Sequence, residues 1–158
     1  MRMPMEPPFL EVGAFGRVKW DDGASEYSGQ CELSPGLAID LSVDPFSDVL
    51  PNQRPPTVAE PQLLAAGVTS RLQLLLADLN RIRAYATQEL LLMHNENWAD
   101  GPPIDGPAFA ARLRLKSIAI DGDLCARAFF DDNGLFAGHA IVVSTNESGE
   151  VTHAELFG

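Results

Sequence analysis

Between Thr69 and Asn95 the chain repeats its apolar residues at the helical period. Leu72, Leu75, Leu76, Leu79, Ile82, Ala86, Leu90 and Met93 form one continuous stripe. At about 1.5 Å per residue, a helix of this extent is roughly 40 Å long. Leu74, Tyr85 and Leu92 make a thinner second line on the opposite side. That line is either covered by a loop or is a contact between two copies of the chain. Arg83 falls by angle inside the main stripe, where it must snorkel or pair with a carboxylate from a sheet. Before this helix, Thr57 and Glu60 have capping-box spacing, and Pro61 limits the expected helix there to a short one. Gly67 is expected to interrupt it.

On both sides of the helix the period falls to two. Phe15–Trp20, Tyr27–Leu33 and Leu37–Val43 read as three strands, separated by Asp21-Asp22-Gly23 and Ser34-Pro35-Gly36. In the third strand Leu37, Ile39, Leu41 and Val43 share one face, while Ala38, Asp40 and Ser42 meet water. Asp44 to Pro61 reads as a connection. Beyond the helix, Asp105 is placed to cap a short helix over Pro107–Arg112. Four more strands follow: Leu115–Ile120, Leu124–Phe130, Gly138–Ser144 and Val151–Leu156. The expected fold is α+β, with an N-terminal three-stranded antiparallel meander and one long central helix flanked by short ones. A C-terminal four-stranded antiparallel meander completes it. Residues 1–8 are expected to be a loose arm and residues 9–158 a single domain.

Composition narrows the function classes. Eleven Lys and Arg stand against 22 Asp and Glu, a formal net charge of −11. Such a surface repels phosphate backbones, so nucleic acid is not expected as a partner, whereas a basic protein is electrostatically favoured. No run approaches the roughly 20 apolar residues of a membrane span. The first ten residues lack a secretory pattern, so the expected compartment is the cytoplasm. Cys31 and Cys125 have no metal-type spacing and are expected to be free thiols. His94, His139 and His153 show no paired spacing either. Neither a metal nor a cofactor is called for. A calcium loop at Asp131-x-Asn133 fails because its twelfth position is Val142. No nucleophile elbow or phosphate loop is present in the sequence.

The chemically capable residues crowd between Asp131 and His139. Pairing Thr145 with Glu150 across the last turn puts His139, Ile141 and Val143 on the core face and His153 on the other. A histidine at the edge of a buried face needs partners for its ring nitrogens, and Asp131 and Asp132 are the nearest carboxylates. One reading is a clasp that locks the turn to the strand. The other is a general base in which Asp131 or Asp132 orients His139, as in a hydrolase. Asn95 is placed to cap the C-terminus of the long helix. Trp98 either staples the outgoing chain to the sheet or lines a pocket with Phe136 and His139. Asn95, Trp98, Phe136 and His139 are therefore the candidate binding residues.

His94-Asn95-Glu96-Asn97-Trp98, Phe136-Ala137-Gly138-His139-Ala140-Ile141 and Ala154-Glu155-Leu156-Phe157-Gly158 together resemble a family of bacterial hypothetical proteins of unknown function. That family carries Asn-x-x-Trp at a helix end and a later Phe-x-Gly-His-x-Ile element preceded by an acidic turn. The resemblance spans roughly residues 13–158 and implies a compact bacterial domain, with attention on Asn95, Trp98, Gly138 and His139. The reading taken from residues and charge together is a non-enzymatic binding module that masks a basic partner, as toxin-neutralising immunity proteins do by analogy. The hydrolase reading is the alternative. A homodimer through Leu74, Tyr85 and Leu92 is a further expectation.

Overall fold

The computed structural model describes residues 8–45 and 59–158. Residues 1–7 of the expected arm, and Thr57 of the expected capping box, lie outside the described residues. Four N-terminal strands form, β1 (Phe9–Glu11), β2 (Arg17–Asp21), β3 (Glu26–Ser34) and β4 (Leu37–Val43). Three helices follow: α1 (Ala59–Ala77), α2 (Leu79–Met93) and α3 (Gly106–Ala111). The chain closes with β5 (Arg114–Ile120), β6 (Ala126–Asp131), β7 (Ala140–Thr145) and β8 (Val151–Phe157).

The two expected meanders are one sheet. Eight strands lie in the order of the sequence, and every neighbouring pair is antiparallel except β4 and β5. Those two run parallel, Leu41 opposite Ile118 and Val43 opposite Ile120, because the helices between them carry the chain back to the starting end. This seam joins the two meanders, and the three-residue strand β1 corrects the expectation of three N-terminal strands.

Alternation decides which face is covered. Val18, Trp20, Tyr27, Ile39, Leu41, Val43, Leu115, Ile118, Ile120, Phe130, Ile141 and Val143 point to one side and are buried. Against them pack Val68, Leu72 and Leu75 of α1 and Leu79, Ile82, Ala86 and Leu90 of α2, the stripe of the central helix. Fully burying one such side chain stabilises by about 1.5–3 kcal/mol, so this layer supplies the main driving force.

The helix itself differs from expectation in two places. It begins by Ala59, and it runs straight through Gly67. A Cβ at Gly67 would lie 2.8 Å from Leu124 Cδ1, so the glycine lets α1 approach the β5–β6 turn closely. The interruption falls instead at Asp78, whose φ of −100° and ψ of 9° separate α1 from α2. Arg83 donates from Nε to the Leu113 carbonyl (3.1 Å), with its guanidinium 5.9 Å from the Phe130 ring centre, so a main-chain oxygen stands where a carboxylate is one of the two expectations. Tyr85 is half-buried and its hydroxyl donates to the Thr152 carbonyl (3.0 Å), so it belongs to the packing of α2 on β8. Leu74 and Leu92 stay exposed, at 51% and 68%. Among the described residues, no helix is long and apolar enough to cross a membrane.

Candidate functional site

The segment from Asp131 to His139 folds as a clasp around one carboxylate. Asp132 is 2% exposed. Its two oxygens accept the backbone N–H groups of Gly134 (3.2 Å), Phe136 (2.7 Å) and Gly138 (3.0 Å). Three converging amides satisfy a buried carboxylate that water cannot reach. The turn needs left-handed backbone at Asn133, Gly134, Ala137 and Gly138, which explains its glycines. Arg112 and Asn133 exchange side-chain to carbonyl bonds, the second at 2.7 Å, tying the turn to the end of α3.

His139 precedes β7 rather than lying on it. Its Nδ1 donates to the Phe136 carbonyl (2.6 Å), and the carbonyl can only accept, so Nδ1 carries the proton. Trp98 meets His139 and Phe136 edge-on, with ring centres 5.4 and 5.7 Å away. His94 is buried against the same Phe136 (5.6 Å) and against Phe109 (6.0 Å). Edge-to-face contacts of this kind are worth about 0.5–1.5 kcal/mol each beyond area burial.

Neither expected carboxylate pairs with His139 among the described residues. Asp132 is committed to the turn, and Asp131 accepts from Asn133 N–H (3.2 Å) and pairs with Lys116 (3.4 Å). The Asn133 bond, followed by Lys116, holds the Asp131 carboxyl below its ordinary range despite an opposing desolvation cost. The geometry is that of a turn lock.

Asn95 also acts differently from a helix cap. After α2 the backbone widens into a π-helical turn over His94–Trp98. There the Asn95 amide brackets Ile104, donating to its carbonyl (3.0 Å) and accepting its N–H (3.2 Å), while His94 Nδ1 donates to the same Oδ1 (3.0 Å). Asn95 thus pins the loop that leads to α3. Asp105 caps α3 as expected, accepting from Ala108 N–H (2.9 Å).

His153 lies on the opposite face of the sheet from Ile141 and Val143, as strand parity requires. The register differs by two residues from the expected one, Ser144 opposite His153 and Ile141 opposite Leu156: the turn pairs Thr145 with Val151 in place of Glu150, and a bulge at Thr152 adds the second residue. Beyond the bulge a shift of two leaves the faces unchanged, while Val151, before it, turns to the helix side opposite Thr145.

The face carrying His153 holds a groove that sequence reasoning missed. Ser42, Ala119 and Ser144 form part of its floor, and it encloses about 430 Å³. Glu26, Asp44 and Asp121 stand around it with Arg127. It lies where β4 and β5 end, and Asp44 N–H there donates to the Ile120 carbonyl (2.9 Å). The carboxyl ends of parallel strands at a change of strand direction are a common place for ligands in open sheets. Burial first, then the charges of Asp44 and Asp21, push the Glu26 carboxyl above its ordinary range. Cys125 borders the groove, and burial and nearby carboxylates push its thiol upward, away from the reactive thiolate. A second hollow of about 340 Å³ shares Ser42 and Ala119 and continues across the sheet past Asp40 and Ser117 to Phe129. The sequence signal was present: Ser28, Ser42, Ser117 and Ala119 occupy the non-core positions of neighbouring strands, and small side chains there leave a trough.

These features define an α+β protein with helices on one face of a single mixed sheet and a groove on the other. The chain belongs to the family described as an uncharacterized protein conserved in bacteria (DUF2262), whose model matches residues 13–156. No curated protein and no solved structure matches it.

Proposed function

We propose that the protein is a non-enzymatic binding module that receives a cationic segment of a partner protein on the open face of its sheet. The observation that carries this reading is the groove at the ends of β4 and β5, where Glu26, Asp44 and Asp121 face one arginine, Arg127. Carboxylates crowded at a partly buried edge repel one another, and an incoming lysine or arginine relieves that repulsion. The net charge of −11 adds long-range attraction for the same partner. The small serine and alanine side chains of its floor leave about 430 Å³ for a cationic side chain.

The test is calorimetric titration with a lysine- and arginine-rich model peptide and its glutamate-rich counterpart. The wild type is expected to bind only the cationic peptide, more weakly as salt rises. Ala119→Arg fills the groove and offsets one of its carboxylates, so binding should fall at least about tenfold, while Glu89→Gln on the exposed side of α2 should change little. Equal binding by wild type and Ala119→Arg would place the cationic surface contact elsewhere and defeat the proposal. So would an absence of binding.

A further inference from the structure

β8 is the last strand of the sheet, and its outer edge has no neighbouring strand among the described residues. Such an edge presents unpaired N–H and C=O groups, and proteins usually blunt it with lysine, proline or a very short strand. Val151–Phe157 is seven residues long and contains neither residue, and beyond its bulge at Thr152 it runs unbroken from His153 to Phe157. By contrast, β1 at the other edge is three residues long.

The sequence of β8 complements itself. A two-fold axis perpendicular to the sheet keeps both faces in place, so it can pair only residues of like parity. Centring the axis on Ala154 sets His153 opposite Glu155 of the partner subunit, and Glu155 opposite His153 of the partner subunit. Centring it on Glu155 would oppose two carboxylates, and centring it on His153 would oppose two imidazoles. Within one strand His153 Nε2 already lies 3.6 Å from Glu155 Oε1, and both side chains are 57% exposed on the open face. The Thr152 carbonyl accepts the Tyr85 hydroxyl (3.0 Å) and keeps a second lone pair.

We infer that β8 is a homodimerisation strand, pairing antiparallel with β8 of a second copy about Ala154 to give a continuous sheet. The helix layers of both copies then lie on the same side. Leu156, on that side, reaches the trough of about 350 Å³ beside the other copy's β8, which Tyr85, Gln88 and Val151 help to line. The open-face grooves also stay on one common side. This inference is independent of the peptide-binding proposal, since β8 forms no part of the lining of either hollow on that face.

The experiment measures the mass of the full chain by sedimentation velocity over a range of concentrations. The wild type is expected to dimerise. His153→Glu places two carboxylates opposite each other at both symmetry-related positions and should weaken the dimer by about tenfold or more. A second variant, His153→Lys with Glu155→Lys, should be equally weakened alone. Mixed with His153→Glu, it should form a heterodimer. Circular dichroism of each variant verifies that it is folded, and the restored heterodimer could not arise from misfolded chains. A monomeric wild type, a His153→Glu variant that dimerises unchanged, or a mixture that stays monomeric would each overturn the inference.

Discussion

Asp132 shows how much one buried carboxylate can organise. It accepts three backbone amides that belong to residues spread over five positions of the turn. Asp132→Ala removes all three bonds and leaves buried donors behind, so unfolding free energy should fall by about 3 kcal/mol in a denaturant titration. His139→Ala loses one short bond and one edge contact with Trp98, and the expected cost is smaller, about 1–2 kcal/mol. The sequence made the Asp131–His139 cluster visible because polar residues stood out beside apolar strands. It could not show that the partners were backbone groups, since the path of the turn depends on four left-handed residues. Two carboxyls predict opposite responses to pH. Asp131 titrates below its unfolded value, so its stabilising contribution is present above the ordinary carboxylate range and is lost as pH falls through the lowered folded value. Glu26 titrates above its unfolded value, so its charge carries a penalty that appears as pH rises through that raised value. Glu26→Gln should therefore raise the melting temperature at neutral pH, with the gain vanishing in acid, while weakening binding of a cationic peptide. A variant that lowers the neutral melting temperature would contradict this account of the groove.

At the scale of elements, local period was the readable quantity. The stripe from Leu72 to Leu90 and the alternation in β4 to β6 each report a face, and those faces are the ones buried, whereas β7 is buried on both faces. What period cannot report is a contact across the chain. Gly67 looked like a helix breaker because glycine costs about 1 kcal/mol in a helix relative to alanine. Its reason is the Leu124 side chain, 57 residues later, against which α1 packs. The seam between β4 and β5 is hidden for the same cause: neither strand carries a local sign that its neighbour lies beyond three helices. Gly67→Ala is expected to destabilise by about 1 kcal/mol, overpacking against Leu124 outweighing the gain in helix propensity. Adding Leu124→Ala should show favourable coupling in a double-mutant cycle, because the shorter side chain makes room for the new methyl. Strict additivity would mean that the two side chains do not meet.

For the whole molecule, the two faces of one sheet differ in what covers them. The covered face holds the structure together, and the aromatic cluster of His94, Trp98, Phe109, Phe136 and His139 fastens the chain at one end of it. Around the groove the other face is lined by small and polar side chains that, strand by strand, read as an ordinary solvent surface, and toward β8 it carries Phe129, Val142 and Phe157. Only the pairing of eight strands assembles them into a groove with three carboxylates around it. The most direct measurement of the central claim is a heteronuclear NMR titration of the labelled full chain with the lysine- and arginine-rich peptide. The account predicts that amide shifts concentrate at Glu26, Ser42, Ala119, Arg127 and Ser144 and are lost in Ala119→Arg. Shifts concentrated on the exposed side of α1 and α2, or around Trp98 and His139, would contradict it.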